Sequence, residues 1–377
     1  MGTMKKVLAI LMLVVMTASM VACSKGTEGD AGKSEGNTAG DVNGQEDGQA
    51  DGTDDATNNA PEKVVLGLIA QAFGTQSFND DVLAGLELAK TELGVETFSI
   101  EVPEVSDAPM ALRTLIDQGA NFIVIPDGGY VDAMLEVTEE YPDVKFLYAA
   151  DTISGYSNIM SMVYRENEAS FLAGALGALM TQSNNIGAVM GVGDDVQYRY
   201  QYGFMAGAKA VNPDCEVQTA FTGSYTDVNK GAEVAKAMYS KGADFIGTYS
   251  GAGNLGVFNS ADAAGEGKYC FGAANGQFDK MPNKIVASVV KPVDQAIYSI
   301  VKDYMETGNF DTSKPFSLGL KEGGVVLKFT TNEELLKVIP EDVMNTMNDL
   351  VAKIESGEIA VPGTEQEYVA FDYTYTK

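Results

Sequence analysis

The chain has 377 residues, a formal net charge of −28, three cysteines and no histidine. That length holds two domains with a tail to spare, and the charge argues against nucleic acid as a partner, because phosphate binding needs clustered Lys and Arg. The missing histidine excludes Ser-His-Asp and Cys-His nucleophile systems and removes the commonest metal ligand, while three cysteines are too few for a disulfide scaffold.

The N-terminus reads as an export signal. Lys5 and Lys6 precede an apolar run over 7–16, and then comes Ser19-Met20-Val21-Ala22-Cys23. The run is far short of the ~20 residues a membrane-spanning helix needs, so signal processing is expected over 1–22. The last five residues resemble a bacterial lipoprotein lipobox, with Met20 where such boxes usually carry Leu. The resemblance implies cleavage before Cys23 and a lipid on that cysteine. From Ser24 to about Pro61 the composition is dominated by Gly, Asp, Glu, Asn, Thr, Ser and Ala, with Val42 the only larger aliphatic residue. Such a segment buries too little apolar surface to offset the entropy of ordering, so a disordered acidic tether is expected over 23–61. Asp47, Asp51, Asp54 and Asp55 lack the loop pattern and terminal Glu of a hand-type calcium site, and a solvated spacer is the better reading.

After Pro61 apolar strands alternate with amphipathic helices. Strands are expected at 63–69, 97–102, 121–126, 144–149 and 158–163, with helices at 80–93, 108–118 and 130–140 between them. This β-α-β rhythm implies a parallel sheet covered on both faces. It repeats after Arg165. A small-residue-rich, closely packed helix is expected at 168–181, then strand 185–191, helix 199–210, strand 215–221, helix 228–241 and strand 243–249. A strand at 285–290 ends at Lys291-Pro292 and a helix follows; segments 316–329 and 340–356 complete the chain. The class is α/β, with two lobes around a cleft and several chain crossings between them. The first lobe is expected at 62–165 plus 291–316, the second at 166–290 plus 317–377.

In open α/β sheets, ligands sit beyond the carboxyl ends of the strands, where loops meet helix N-termini. The loop over 73–80, with Ser77-Phe78-Asn79, follows the first strand there. An aromatic followed by an amide at that spot reads as a binding element. The third strand delivers Asp127 to the same rim and Asp132 follows, each open to two readings, ligand contact or helix cap. Gly251-Ala252-Gly253-Asn254-Leu255-Gly256 matches a dinucleotide fingerprint, but the next strand ends in 271–276 without the required carboxylate. A tight turn that lets backbone approach a ligand or the neighbouring sheet is the better account, and no cofactor is expected. Lys291 is either a surface charge or a cleft donor. Cys215 and Cys270 are by default buried thiols, with a disulfide conceivable outside the cytosol.

Six blocks in order now carry a resemblance: Ser77-Phe78-Asn79-Asp80 with Gly85; Asn167-Glu168-Ala169-Ser170-Phe171-Leu172-Ala173-Gly174; Gly203-Phe204-Met205-Ala206-Gly207; Gly223-Ser224-Tyr225-Thr226-Asp227 with Lys230-Gly231; Lys241-Gly242-Ala243-Asp244-Phe245-Ile246; and Ser288-Val289-Val290-Lys291-Pro292-Val293-Asp294. They resemble the basic membrane protein family, the purine-nucleoside-receptor-like substrate-binding lipoproteins of ABC importers, over essentially everything after Pro61. The resemblance implies a type I periplasmic-binding-protein fold, with two Rossmann-like lobes, parallel sheets and a multi-strand hinge. It also implies a nucleoside or purine-like ligand between two aromatic rings, here Phe78 and Tyr225, with Asn79 on the base edge and Lys291 on the ribose. Ser77, Asp127, Asp132, Gly251 and Asn275 complete the expected contacts, with no catalytic residue and no metal. The implied partners are ABC permease subunits and, through Cys23, the extracytoplasmic face of the cell membrane, with the chain a monomer.

Two positions depart from the family pattern. Thr75 stands where an Asp is usual, and Gly272-Ala273-Ala274-Asn275-Gly276-Gln277 replaces a block whose carboxylate contacts the sugar. Either Asn275 or a water takes that contact, or the ligand is a free base, a deoxynucleoside or another flat heterocycle. Two further classes stay open: a surface sensor or adhesin of the same fold, and a nucleoside-processing enzyme with Asp127, Asp132 and Lys291 as its acid-base candidates.

Overall fold

The computed structural model describes residues 63–74, 78–274 and 276–376. The expected signal, Cys23 and the tether lie outside the described residues, as do Thr75, Ser77 and Asn275.

The first run of elements is β1 (Val65–Ala70), α1 (Phe78–Leu93), β2 (Glu96–Glu101), α2 (Ala108–Asp117), β3 (Phe122–Ile125), α3 (Val131–Glu140), β4 (Lys145–Tyr148) and β5 (Ile159–Tyr164). The second is α4 (Glu166–Met180), β6 (Asn185–Met190), α5 (Asp195–Val211), β7 (Glu216–Phe221), α6 (Val228–Ser240), β8 (Phe245–Tyr249), α7 (Asn254–Ala263), β9 (Tyr269–Gly272) and β10 (Ile285–Val290). Then follow α8 (Val293–Thr307), β11 (Phe316–Leu318), β12 (Val326–Phe329), α9 (Glu333–Leu336), α10 (Glu341–Glu355) and α11 (Glu365–Ala370).

The strands form two six-stranded sheets, β11-β5-β4-β3-β1-β2 and β12-β10-β9-β8-β6-β7. Central strands such as β1, β3, β6 and β8 are buried along their whole length, β1 and β3 with apolar residues only, as strands covered by helices on both faces must be. Every pairing is parallel except β12 on β10. The exception corrects the all-parallel expectation and has a simple cause. β12 is reached from β11 by the short direct connection 319–325, with no helix to carry the chain back, so it enters the second sheet reversed.

The chain passes between the sheets three times: at Arg165, at Lys291-Pro292 and at 319–325. The first and third passages are clasped together. The Arg165 guanidinium donates to Glu168 at 2.6 Å and to the Ser317 hydroxyl at 2.9 Å, and it also pairs with Glu322. The second oxygen of Glu168 accepts the Leu320 N–H at 2.7 Å.

Helices α4 and α5 pack backbone to backbone, as the small residues of α4 lead one to expect. A Cβ on Gly203 would overlap the Asn167 carbonyl, one on Gly207 the Phe171 carbonyl, and one on Gly174 the Phe204 carbonyl. Gly85 likewise lets α1 approach the start of α8, where a Cβ would meet the Asp294 backbone at 3.1 Å.

Candidate functional site

The carboxyl ends of both sheets open on one cavity of about 170 Å³, lined by residues of both lobes and of the passages between them. Each wall is built by strand-end loops.

On the second lobe the wall is Tyr225, in the loop between β7 and α6. Its ring lies where a side chain on Gly191 would stand, so only glycine at 191 admits it. Gly251, in the left-handed region at φ +63°, lets the β8 turn come down on the Tyr225 carbonyl, which accepts the Ala252 N–H at 2.8 Å. The Tyr225 hydroxyl donates to Asp194 at 2.5 Å, while the other oxygen of Asp194 caps α5 by accepting the Gln197 N–H at 2.9 Å. Burial, and then donation to Asp194, push the Tyr225 hydroxyl well above its usual pKa. Behind it Tyr200 and Tyr249 are stacked, with centroids 4.3 Å apart and planes 16° apart.

The first lobe contributes Phe78 and Asn79 from the start of α1, and Asp127 beyond β3. Asp127 caps a single 3₁₀ turn over Gly128–Tyr130, accepting the Gly129 N–H at 2.7 Å. Burial, and the Asp194 carboxylate on the other lobe, raise its pKa, against the Gly129 hydrogen bond that lowers it. The same causes, burial and the carboxylates of Asp151, Asp127 and Asp194, push the nearby Tyr148 hydroxyl up to about 12.

The floor of the cavity is ionic. Glu166, 2% exposed, pairs with Lys291 at 3.2 Å through one oxygen and with Arg199 at 2.7 Å through the other. Lys291 is 9% exposed, and its ammonium sits 4.2 Å from the Phe78 ring centroid, 5.2 Å from Tyr164 and 5.7 Å from Tyr200. The electron-rich ring faces and the Glu166 carboxylate together hold a charge that would otherwise be expensive to bury.

Of the residues expected from sequence, Phe78, Asn79, Asp127, Tyr225, Gly251 and Lys291 meet around this cavity; Ser77 and Asn275 lie outside the described residues. Asp127 is a cap, as one of its two readings has it, and it also lines the cavity. Lys291 is a cleft residue and not a surface charge. Asp132 fits neither reading: it is exposed on the first turn of α3 and absent from the lining, because the 3₁₀ turn before it carries the helix start away from the rim. In the glycine-rich turn, Gly256 lies against the Val228 carbonyl and Gly253 against Gly231 of α6, so these glycines serve close packing. Cys215 and Cys270 are free thiols, Cys270 fully buried. Among the described residues no group of three or more His, Cys, Asp or Glu side chains is placed to hold a metal.

Sequence reasoning missed Glu166, Asp194, Gln197, Tyr200 and Tyr249, all of which line the cavity. Asp194 follows β6 just as Asp127 follows β3, so the strand-end rule that found one would have found the other. Tyr200 and Glu166 carry no such mark; only the helix pairing of α4 with α5 brings them to the floor.

The family described as ABC transporter substrate-binding protein PnrA-like matches residues 63–365. Basic membrane protein A of Borreliella burgdorferi is 30% identical over 312 residues, covering 81% of this chain and 89% of that one. A solute-binding protein of an ABC transporter system from Aeropyrum pernix K1 superposes with a TM-score of 0.72 at 26% identity, over 82% of this chain and 96% of that one. Another such protein, from Conexibacter woesei, shares the fold at a TM-score of 0.64 and 21% identity, over 80% of this chain and 99% of that one. The two wound sheets and their crossings are thus a type I periplasmic-binding-protein fold. The chain belongs to the PnrA-like family of ABC transporter substrate-binding proteins.

Proposed function

We propose that the protein captures a nucleoside or related flat heterocycle between its lobes and hands it to an ABC permease. One observation carries this reading: an aromatic ring from each lobe, Phe78 and Tyr225, lines the same cavity, with the amide of Asn79 beside the first. Any base has a π-face, and each stack contributes ~1–3 kcal/mol. Two stacks and a few hydrogen bonds at ~0.5–1.5 kcal/mol each approach the ~8 kcal/mol of micromolar affinity. Phe78 carries the Lys291 ammonium on its ring, which leaves the other face for the ligand. A ligand touching both walls favours the closed arrangement by the contacts it gains there and lacks in the open one. No bond to the ligand is made or broken.

Calorimetric titration with purines and their nucleosides, combined with small-angle scattering, tests this. The radius of gyration should fall on saturation, and Phe78→Ala and Tyr225→Ala should each weaken binding at least tenfold. Unchanged affinity in both variants would sink the sandwich.

The same reading places the protein on the extracytoplasmic membrane face, held by a lipid on Cys23.

A further inference from the structure

The second-lobe wall is a tyrosine, and its hydroxyl adds nothing to a stack, since a phenylalanine would offer the same ring face. A hydroxyl taken out of water needs a partner, and this one donates to Asp194. The backbone around Tyr225 is already pinned. Its carbonyl accepts the Ala252 N–H at 2.8 Å. The Ser224 carbonyl before it accepts the Thr222 hydroxyl at 2.7 Å, and the Ser224 hydroxyl accepts the Thr226 and Asp227 N–H groups, both at 3.1 Å. What freedom remains is rotation of the side chain, and the bond from its far end to Asp194 arrests that rotation.

Asp194 can serve as an anchor because it is itself held. Its other oxygen caps α5 through the Gln197 N–H at 2.9 Å, so the carboxylate is fixed to the first turn of a helix whose Val196, Gln197 and Tyr200 also line the cavity. The Gln197 side chain accepts the Gly191 N–H at 2.9 Å and bonds the Tyr225 hydroxyl as well, which ties the strand end behind the ring to the same turn. Ring, strand end and helix start form one corner of the second lobe. Phe78 has no polar end to anchor: it meets Tyr164 edge to face at a centroid distance of 6.4 Å and carries the Lys291 ammonium on its ring. One wall of the clamp is therefore set in advance, and a side chain already held in its bound orientation loses less rotamer freedom when a ligand arrives.

We infer that Asp194 is a positioning residue for ligand capture, holding the Tyr225 ring in its stacking orientation before the ligand enters; the inference rests on the sandwich reading above. Calorimetric titration of the full chain with hypoxanthine, inosine, adenine and adenosine tests it. Tyr225→Phe keeps the ring and removes only the hydroxyl, whereas Asp194→Ser keeps the cap on α5 and is too short to reach that hydroxyl. Each should weaken binding about threefold or more, the scale of one hydrogen bond's net contribution, and the double variant should bind as Tyr225→Phe does. Asp194→Asn, which caps α5 and retains a polar contact with the hydroxyl, should recover most of what the serine variant loses. A loss in Asp194→Asn equal to that in Asp194→Ser would assign the effect to the charge and overturn the inference. Additive losses in the double variant would mean that Asp194 meets the ligand itself, and unchanged affinity in Tyr225→Phe would mean that the hydroxyl anchors nothing; either result overturns it too. Those three results leave the sandwich standing so long as Tyr225→Ala weakens binding. If Tyr225→Ala binds as wild type does, or if wild type binds no member of the series, the sandwich falls and this inference with it.

Discussion

Asp127 does two jobs with one carboxyl: it caps the turn that opens toward α3 and faces the cavity opposite Asp194. Its raised pKa means that the folded state holds its proton more tightly than the unfolded chain does. Its contribution to stability is therefore complete below the ordinary carboxylate value and is lost as pH rises through the raised value. At neutral pH the fold carries a half-buried charge facing another acid. Asp127→Asn keeps the acceptor for Gly129 and removes that charge. The variant should melt above wild type at pH 7.5, and the gap should close as pH is lowered into the carboxylate range; a lower melting point at both pH values would refute this account. At this scale the sequence was informative about individual strand-end residues and silent about their partners. Glu166 finds Lys291 across 125 residues and Arg199 across 33, a pairing that no local pattern encodes.

Elements were legible where a cap or a periodicity marks them. The strand-helix alternation and the close packing of α4 could be read from apolar runs and small residues. Helix α5 begins at Asp195, four residues ahead of the expected 199, because Asp194 caps it, and the Asp194-Asp195 pair after a glycine-rich turn was the available signal. Segment 316–329 reads as one piece but forms two short strands in different sheets. Strand partnership is a non-local property, and three or four residues carry no mark of it. The contact of α4 with α5 invites a direct test. Gly207→Ala would drive a methyl into the Phe171 carbonyl of the neighbouring helix, and backbone has no rotamer with which to yield. A loss of ~1–3 kcal/mol or more is expected, read as a lower denaturant midpoint with an unchanged slope. An unchanged midpoint would mean that the two helices stand further apart in solution.

For the molecule as a whole, the passages between lobes are tied to one another as well as to the lobes. Arg165 clasps the first to the third, and Glu166, next in sequence, clasps the first to the second through Lys291. Three passages so joined are tied to move as a unit, which is what the closure proposed above would require. The lipid proposed for Cys23 makes a cellular prediction at this scale: Cys23→Ser should move the protein from the membrane fraction to the soluble fraction without changing ligand affinity in vitro. Retention of the variant in washed membranes would count against the anchor.

The bent backbone at Ala274 has a bearing on how such a receptor can change its diet. Every alanine codon lies one base from a codon for aspartate or glutamate. At φ +52° the turn already holds a conformation that aspartate adopts more readily than alanine, so a carboxylate at this position requires no rebuilding of the loop. Most gains of specificity must cross a loss of stability on the way. Here the backbone already lies where aspartate is more at ease than alanine, so a carboxylate at this position would cost the fold little.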